Sequence, residues 1–144
     1  MRVFTADCAP VLLADGRKRA LALVHAGWRG AANGILGRAV KLLERKAGVG
    51  PKDLWMVVGP CIHQCCYEVG GDVARCFPRN TTGGPDKFFL DLPGALAEQA
   101  KVLGVSPRKI FLAPHCTVCD RRFFSFRREK TESRQAAVAA FRQL

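Results

Sequence analysis

The sequence predicts a mixed α/β (α+β) domain, and three observations lead to this class. Short apolar runs typical of strands, such as ALALV at residues 20–24, alternate with longer segments whose apolar residues recur at helical spacing. The dipeptide Asp15–Gly16 separates two of the short runs, as a hairpin turn does. The chain has 144 residues, enough for one well-packed domain and short for two. We therefore expect residues 1–144 to form a single domain.

The first part of the chain predicts three strands followed by a helix. The strands are expected over Arg2–Phe4, Val11–Leu13 and Ala20–Val24, with the second and third paired as an antiparallel hairpin. The helix has an apolar face that runs from Ala32 to Leu43. Gly48 follows at the position where a helix commonly ends in a left-handed residue.

The middle of the chain contains a weak internal repeat. Residues 48–55 read GVGPKDLW and residues 104–111 read GVSPRKIF; each follows a helical segment and leads into an apolar strand. The second helix is predicted over Leu92–Leu103, with Asp91 as its N-cap. The repeat therefore places Cys61 and Cys116 at equivalent strand ends.

The remaining segments predict shorter elements. Residues 80–86, NTTGGPD, are expected to form a loop, and Phe123–Phe126 a short strand. Thr131 is a candidate N-cap for a final helix. The apolar face of that helix would hold Ala137, Ala140, Phe141 and Leu144.

The charge and the cysteine content narrow the function class. The net charge is +11, so anionic partners are favoured, although a basic surface that only solvates the chain explains it equally well. Nucleic acid is the weaker choice of anion, because aromatic residues are few and no recognition motif or long basic tract is present. No apolar run approaches the ~20 residues of a membrane helix, and the start of the chain does not resemble a signal peptide. We therefore expect a cytoplasmic location and no membrane partner. In that compartment the seven cysteines are expected to be reduced and not to form a disulfide framework.

Cys8 and His25 are the first candidate functional residues. Cys8 precedes the first strand of the predicted hairpin and His25 follows the second, so both lie at one edge. His25 would then either deprotonate a nucleophilic Cys8 in a metal-free hydrolase, or share a zinc-like cation with it. Asp7 next to them would orient the histidine or transfer a proton. The alternative is a buried cysteine and a histidine that only satisfies its hydrogen bonds.

The stretch GWRG adds a candidate anion site. Gly27 and Gly30 free the backbone just before a helix, where N–H groups attract anions. Arg29 supplies a planar cation suited to phosphate. The two glycines alternatively allow Trp28 to pack closely.

Four motifs, met in order along nearly the whole chain, resemble one known family. They are TADCAPVLL, HAGWRGAANGIL, GPCIHQCCYEVGGDV, and HCTVC followed by FFSFRR. They look like the laccase-like polyphenol oxidases that are now described as purine nucleoside phosphorylases and are unrelated to the cupredoxin laccases. The resemblance implies layered mixed β-sheets flanked by helices, of the cytotoxic necrotising factor-like cysteine hydrolase type. It also implies phosphorolysis of adenosine, inosine, guanosine and methylthioadenosine, with adenosine deamination as a side activity.

The resemblance further implies a zinc ion, with copper as the alternative, bound by one cysteine and two histidines. Cys8 and His25 correspond to the cysteine and to one of the histidines. The family's other histidine lies upstream of TADC, so we expect this chain to be N-terminally short relative to the family. His63, His115 or a residue of another subunit in a homo-oligomer would then supply the third ligand. A catalytically impaired domain that serves as a basic binding module is the non-enzymatic alternative.

The family motif also favours Arg127, or the neighbouring Arg128, as a residue that lines the phosphate site after FFSF. Arg127 is the residue we select, and a solvated arginine pair at a strand end is the alternative.

The other cysteines allow two interpretations. Their spacing permits a four-thiolate zinc site that combines cysteines of CIHQCC with the pair in Cys116-x-x-Cys119, or a redox pair. The resemblance instead favours buried thiols in a packing or pocket motif. Cys76 falls at helical spacing with Val73 and Phe77 and is predicted to lie in the core.

Overall fold

A computed structural model describes residues 1–17 and 20–141 and confirms the mixed α/β class. The strands are β1 (Arg2–Thr5), β2 (Ala9–Asp15), β3 (Ala20–Ala26), β4 (Trp55–Val58), β5 (Glu68–Val69), β6 (Thr81–Gly83), β7 (Phe88–Leu90), β8 (Ile110–Leu112) and β9 (Gln135–Val138). The helices are α1 (Trp28–Ala32), α2 (Ile35–Ala47), α3 (Gly71–Cys76), α4 (Leu92–Val102) and α5 (Phe126–Glu129). None of the described helices is long and apolar enough to cross a membrane.

The central sheet has four strands in the order β3-β2-β4-β8. The predicted hairpin is confirmed, because β2 pairs antiparallel with β3 and Asp15 lies opposite Ala20. One face of the sheet presents Val11, Leu13 and Met56 to a buried core that includes apolar residues of α2 and α4. Each such buried side chain contributes about 1.5–3 kcal/mol of hydrophobic stabilisation. This core fixes the strand ends at which the candidate site residues lie.

The opposite face of this sheet is partly open to solvent. In β4 the alternation of buried and exposed residues leaves Trp55 and Val57 on that face, beside Phe111 of β8. The Trp55 and Phe111 rings stack with their centroids 5.7 Å apart. Neighbouring aromatic side chains thus shield part of an otherwise exposed apolar surface.

The internal repeat is confirmed as a structural unit. In each copy a helix (α2 or α4) is followed by a single 3₁₀ turn at 51–53 or 107–109 and then by a strand (β4 or β8). The two strands are parallel neighbours, and just beyond them Cys61 and Cys116 form an isolated parallel bridge. The side chain of Asp91 accepts a hydrogen bond from the Gly94 amide at 3.0 Å, which confirms it as the N-cap of α4.

The helix predicted through Ala32 to Leu43 is interrupted. Gly34 has a φ of 72°, a left-handed conformation that ends α1 and lets α2 begin in a new direction. Gly48, with a φ of 61°, ends α2 as predicted. The apolar periodicity predicted which residues are helical, but it did not predict the break at Gly34.

Two short predictions near the loops are wrong. Residues 80–86 are not entirely loop, because Thr81–Gly83 pairs with β7 as β6. Phe123–Phe126 is not a strand, because the Ser125 hydroxyl accepts a hydrogen bond from the Arg128 amide at 3.1 Å and starts α5. An N-cap interaction therefore decides the conformation against the aromatic β-propensity.

The final helix is also wrong, because β9 forms in its place. Its residues pair antiparallel with β1, with Thr5 opposite Gln135 and Arg2 opposite Val138. Pairing satisfies the backbone groups of both short strands, and this gain outweighs the helix propensity of the alanines. The predicted apolar position Leu144 lies outside the described residues.

Candidate functional site

Cys8 and His25 lie at the same end of the hairpin of β2 and β3. Ala9 pairs with Ala26, so Cys8 comes opposite Gly27, and a Cβ atom on that glycine would lie 2.8 Å from the Cys8 sulfur. Because alternate residues of a strand share a face, His25 lies on the same face as Cys8, one diagonal position away. Cys8 is half-buried and His25 is exposed. The glycine leaves the space that the thiol occupies.

The Cys8 thiol is held in its neutral form. Burial raises its pKa, the charge of Asp7 raises it further, and the Arg134 guanidinium acts in the opposite direction. A thiol with a raised pKa is a poor nucleophile at neutral pH. Cys8 therefore needs a metal ion or a base to remove its proton before the sulfur can react or bind.

Asp7 is buried and joins two distant segments. Its residue has a φ of 83°, and its two carboxylate oxygens accept hydrogen bonds from the Thr117 hydroxyl and from the Arg127 amide, each at 2.7 Å. The carboxylate thus holds the turn after β8 and the start of α5 against the beginning of β2. A role for this carboxylate in proton transfer remains a prediction.

Several of the candidate site residues influence one side chain, that of Tyr67. The Arg127 guanidinium lies over its ring, 5.6 Å from the centroid. Burial raises the pKa of Tyr67 to about 12, the charge of Cys8 raises it as well, and Arg127 and Arg29 lower it. Cys8, Arg29 and Arg127 therefore all act electrostatically on one phenol, and Arg127 is in contact with its ring. Sequence reasoning did not select Tyr67, although its position inside CCYEV was the available signal.

The neighbouring arginines after FFSF have different environments. The Arg128 guanidinium donates hydrogen bonds at 2.8 Å to the carbonyl oxygens of Thr117, Val118 and Phe123. The Arg127 side chain is exposed and has its ring contact with Tyr67. Arg127, the residue selected from the sequence, is therefore the one of the two that is accessible to an anion.

Two more arginines contribute positive charge to this region. Arg29 is exposed and lies 4.5 Å from the centroid of the Trp28 ring. Arg134 acts on Cys8, and no motif in the sequence pointed to it. Gly27 is the N-cap of α1, which has only five residues. The guanidinium groups, rather than a long helix dipole, therefore supply the positive charge.

The protein donors at Cys8 and His25 do not complete a catalytic zinc site. Such sites use three protein ligands, and this pair supplies two. Burial lowers the pKa of His63, the charge of Asp91 raises it, and that of His115 lowers it. The Nε2 atom of His63 is buried without a hydrogen-bond partner. The Nδ1 atom of His115 lies 3.4 Å from Asp120. Neither of these histidines, nor His25, is among the groups that shift the pKa of Cys8.

Four other cysteines do come together. The sulfur atoms of Cys65, Cys66, Cys116 and Cys119 lie within 4.8 Å of one another, and they form the one such group of three or more ligand atoms found in residues 1–17 and 20–141. The interpretation as buried thiols is wrong for Cys65 and Cys119, which are exposed, and holds for Cys61 and Cys116.

Cys76 is also exposed, so its assignment to the core is wrong. It is the last residue of α3, and its sulfur hydrogen-bonds the Asp72 carbonyl at 3.5 Å. Val73 and Phe77 occupy the buried positions instead.

Comparisons with known proteins cover nearly the whole chain. The model of the family described as "Multi-copper polyphenol oxidoreductase laccase" matches residues 1–142. A purine nucleoside phosphorylase of Aquifex aeolicus is 36% identical over 132 residues, which cover 92% of this chain and 61% of that protein. The purine nucleoside phosphorylase YlmD of Geobacillus stearothermophilus is 33% identical, with 96% of this chain and 54% of that protein covered.

Two solved structures share the fold of this chain. The crystal structure of YlmD superposes with a TM-score of 0.87 at 30% identity and covers 94% of this chain and 54% of that one. The hypothetical protein YfiH of Bacillus licheniformis has the same TM-score at 28% identity and the same two coverages. The chain thus spans little more than half the length of the proteins it matches.

Proposed function

The chain belongs to the family described as multi-copper polyphenol oxidoreductase laccase, and from this premise we propose that it cleaves purine nucleosides with phosphate. The observation that supports this most directly is the exposed Arg127 guanidinium over the Tyr67 ring, a phenol whose pKa Cys8 and Arg29 also shift. An exposed guanidinium beside a protonated phenol suits a phosphate ion, the second substrate of a phosphorylase, and Arg29 is a second exposed guanidinium that acts on the same phenol. The names of the relatives support the purine nucleoside half of the reaction.

The residues of this chain would act mainly on the phosphate. In phosphorolysis a phosphate oxygen bonds to C1′ of the ribose while the bond from C1′ to the base nitrogen breaks, and the base leaves with a proton. Arg29 and Arg127 would hold the attacking phosphate and balance its charge. Tyr67, whose pKa is about 12, stays protonated and would donate a hydrogen bond to an anion.

The finer parts of the proposal concern substrates, metal and fold type. We include adenosine, inosine, guanosine and methylthioadenosine as substrates, adenosine deamination with Asp7 as proton carrier, and a likeness of the fold to cysteine hydrolases of the cytotoxic necrotising factor type. Zinc, or copper, would be held by Cys8, His25 and a third ligand, for which another subunit is one source. Such an ion activates water for deamination when its ligand set is complete. Since Cys8 and His25 are only two donors, no step is assigned to the ion here.

The decisive assay incubates the folded chain with inosine and phosphate, with and without added zinc, and measures hypoxanthine by HPLC. We expect release of the base that depends on phosphate. Arg127→Ala should raise KM for phosphate about tenfold or more, since hydrogen bonds to charged groups contribute about 1.5–3 kcal/mol. Arg38→Ala, an exposed arginine of α2, is the matched control and should leave KM unchanged.

Two outcomes would contradict this proposal. The absence of hypoxanthine under both conditions, in protein shown to be folded, would remove the activity from this chain. Salt-dependent RNA binding in the same preparation would then favour the basic binding module. In the metal-free hydrolase, the raised pKa of Cys8 means that His25 would have to remove the thiol proton before the sulfur could attack.

A further inference from the structure

A second group of side chains, separate from the residues around Tyr67, has the composition of a metal centre. The segment after β4 contributes Cys65 and Cys66, and the turn after β8 contributes Cys116 and Cys119. We propose that these four cysteines bind one zinc ion as a tetrathiolate structural site. This inference goes beyond the proposed function, which uses neither these sulfurs nor their ion.

The distances between the sulfur atoms match those around zinc. Four thiolates that coordinate zinc at about 2.3 Å in a tetrahedron lie about 3.8 Å from one another. The Cys119 sulfur lies 3.7 Å from that of Cys65 and 3.4 Å from that of Cys66, and all four sulfurs fall within 4.8 Å. A disulfide would need about 2.05 Å, and all the cysteines are free. The spacing therefore favours an ion shared by four sulfurs over bonded pairs.

The fold brings the two cysteine pairs together before any metal binds. Strands β4 and β8 run parallel as neighbours, and the bridge between Cys61 and Cys116 extends their pairing. The Thr117 amide donates to the Cys61 carbonyl at 2.9 Å. The two segments therefore leave the sheet side by side. Binding would not need to order a distant segment, so little conformational entropy opposes it.

Each pair also lies in a tight turn. The Cys66 amide donates to the His63 carbonyl at 3.0 Å, and the Asp120 amide donates to the Cys116 carbonyl at 2.9 Å. A two-residue gap within a turn is the usual spacing of zinc-binding cysteines, and Cys116 and Cys119 have it.

Groups around the cluster are arranged to balance negative charge. The His63 amide points at the Cys116 sulfur at 3.5 Å. The Arg128 guanidinium holds the carbonyl oxygens of Thr117 and Val118, inside the second turn. Four thiolates outweigh the two positive charges of zinc, so the N–H donor stabilises the complex, while the Arg128 charge is shared with its ion pair to Glu129. Soft thiolate ligands also select zinc over magnesium or calcium.

The proposed ion would support the candidate active site without taking part in its chemistry. Cys66 directly precedes Tyr67, and Thr117 follows Cys116 and donates its hydroxyl to Asp7. Zinc would therefore join the two segments that position Tyr67 and Asp7. Its effect is structural, through the rigidity of these turns.

The first test measures metal in the full chain, purified with a reducing agent and supplied with zinc. We expect one zinc per chain at the cluster by elemental analysis, counted in the Cys8→Ser background so that no ion at Cys8 and His25 contributes, and its loss when Cys119→Ser or Cys65→Ser is added. Cys76→Ser, which changes an exposed cysteine outside the cluster, is the matched control and should keep the zinc. Cys8→Ser should also keep it, which separates this site from any ion at Cys8 and His25.

The second test uses only the wild-type chain, so it does not depend on how the variants fold. A thiol reagent is applied with and without zinc, and the modified cysteines are identified by peptide mapping. Zinc should slow modification of Cys65 and Cys119 about tenfold, because ligation occupies the reactive thiolate, and should leave Cys76 unaffected. Equal labelling in both conditions would overturn the proposal. So would iron in place of zinc, or metal retained in both serine variants.

Discussion

The two thiol-containing regions of this protein are built in opposite ways. The region around Tyr67 combines Cys8 with arginines from widely separated segments, and it is rich in positive charge but poor in metal ligands. The four-cysteine cluster draws all its donors from two turns at the ends of neighbouring parallel strands. The first suits an anion, and the second suits a thiophilic cation.

On the two proposals made above, one scaffold would bind an anion in one region and be supported by a metal ion in the other. Asp7 connects the regions, because its carboxylate accepts from Thr117 beside the cluster and from the amide of Arg127 beside Tyr67. Changes at this connection should affect both regions, whereas changes on either side should affect one. Four predictions test this division, from the largest expected effect to the smallest.

Asp7→Ala should have the largest effect on stability. It leaves the Thr117 hydroxyl and the Arg127 amide without their acceptor in a buried position. We expect the free energy of unfolding to fall by about 2–4 kcal/mol, measured by urea denaturation. Asp86→Ala, at an exposed position, is the matched control. A loss at Asp7 no larger than that of the control would show that the two regions are not connected through this carboxylate.

Substitution of the two adjacent arginines should show that Arg128 supports the fold and that Arg127 does not. Arg128→Ala removes hydrogen bonds to three carbonyl oxygens and should lower the free energy of unfolding by about 1–3 kcal/mol. Arg127→Ala should change it by no more than about 0.5 kcal/mol, since its bond to Asp7 comes from the backbone and survives the substitution. Similar losses in the two variants, in parallel urea titrations, would contradict the assignment.

Alkaline pH should weaken the fold through its buried acids. Burial raises the pKa of Cys61 from 9.0 to about 12 and that of Tyr67 from 10.0 to about 12. The unfolded chain therefore releases these protons at lower pH than the folded chain, so the free energy of unfolding falls as the pH rises from 9 towards 12. Tyr67→Phe removes one of the two groups and should make the decline shallower above pH 10. An unchanged slope in that variant would show that Tyr67 does not contribute.

His25→Ala should have the smallest effect on stability. The side chain is exposed, so the free energy of unfolding should change by no more than about 0.5 kcal/mol. The same variant should lose any metal bound at Cys8 but keep zinc at the four-cysteine cluster, as measured by elemental analysis. Loss of zinc from the cluster in His25→Ala would show that the two regions are not independent of one another.

Local patterns predicted much of the fold. Asp15–Gly16 identified the hairpin, Asp91 identified the start of α4, and the repeat placed Cys61 beside Cys116. These features depend on turn chemistry and on residues close in sequence, so a short window of residues contains the needed information. The same reasoning failed at Gly34, where a single left-handed residue divides one apolar pattern into two helices.

The candidate site was predictable only in part. Cys8, His25, Arg29 and Arg127 belong to motifs that stand out in the sequence. Arg134 has no such motif, and Tyr67 became visible as a shared neighbour only after the segments were folded together. The exposure of Cys65, Cys119 and Cys76 was missed, because residue type favours burial of cysteine but cannot locate the edge of the core.

The sequence by itself determined the hairpin, the repeated helix–turn–strand unit and the residue types available for chemistry, because periodicity, caps and turns act over a few residues. Only the tertiary structure decided that residues 135–138 join β1 as a strand and that four sulfurs from two turns converge. Strand pairing and ligand clusters depend on segments more than fifty residues apart, and their free energy comes from contacts that no local pattern contains.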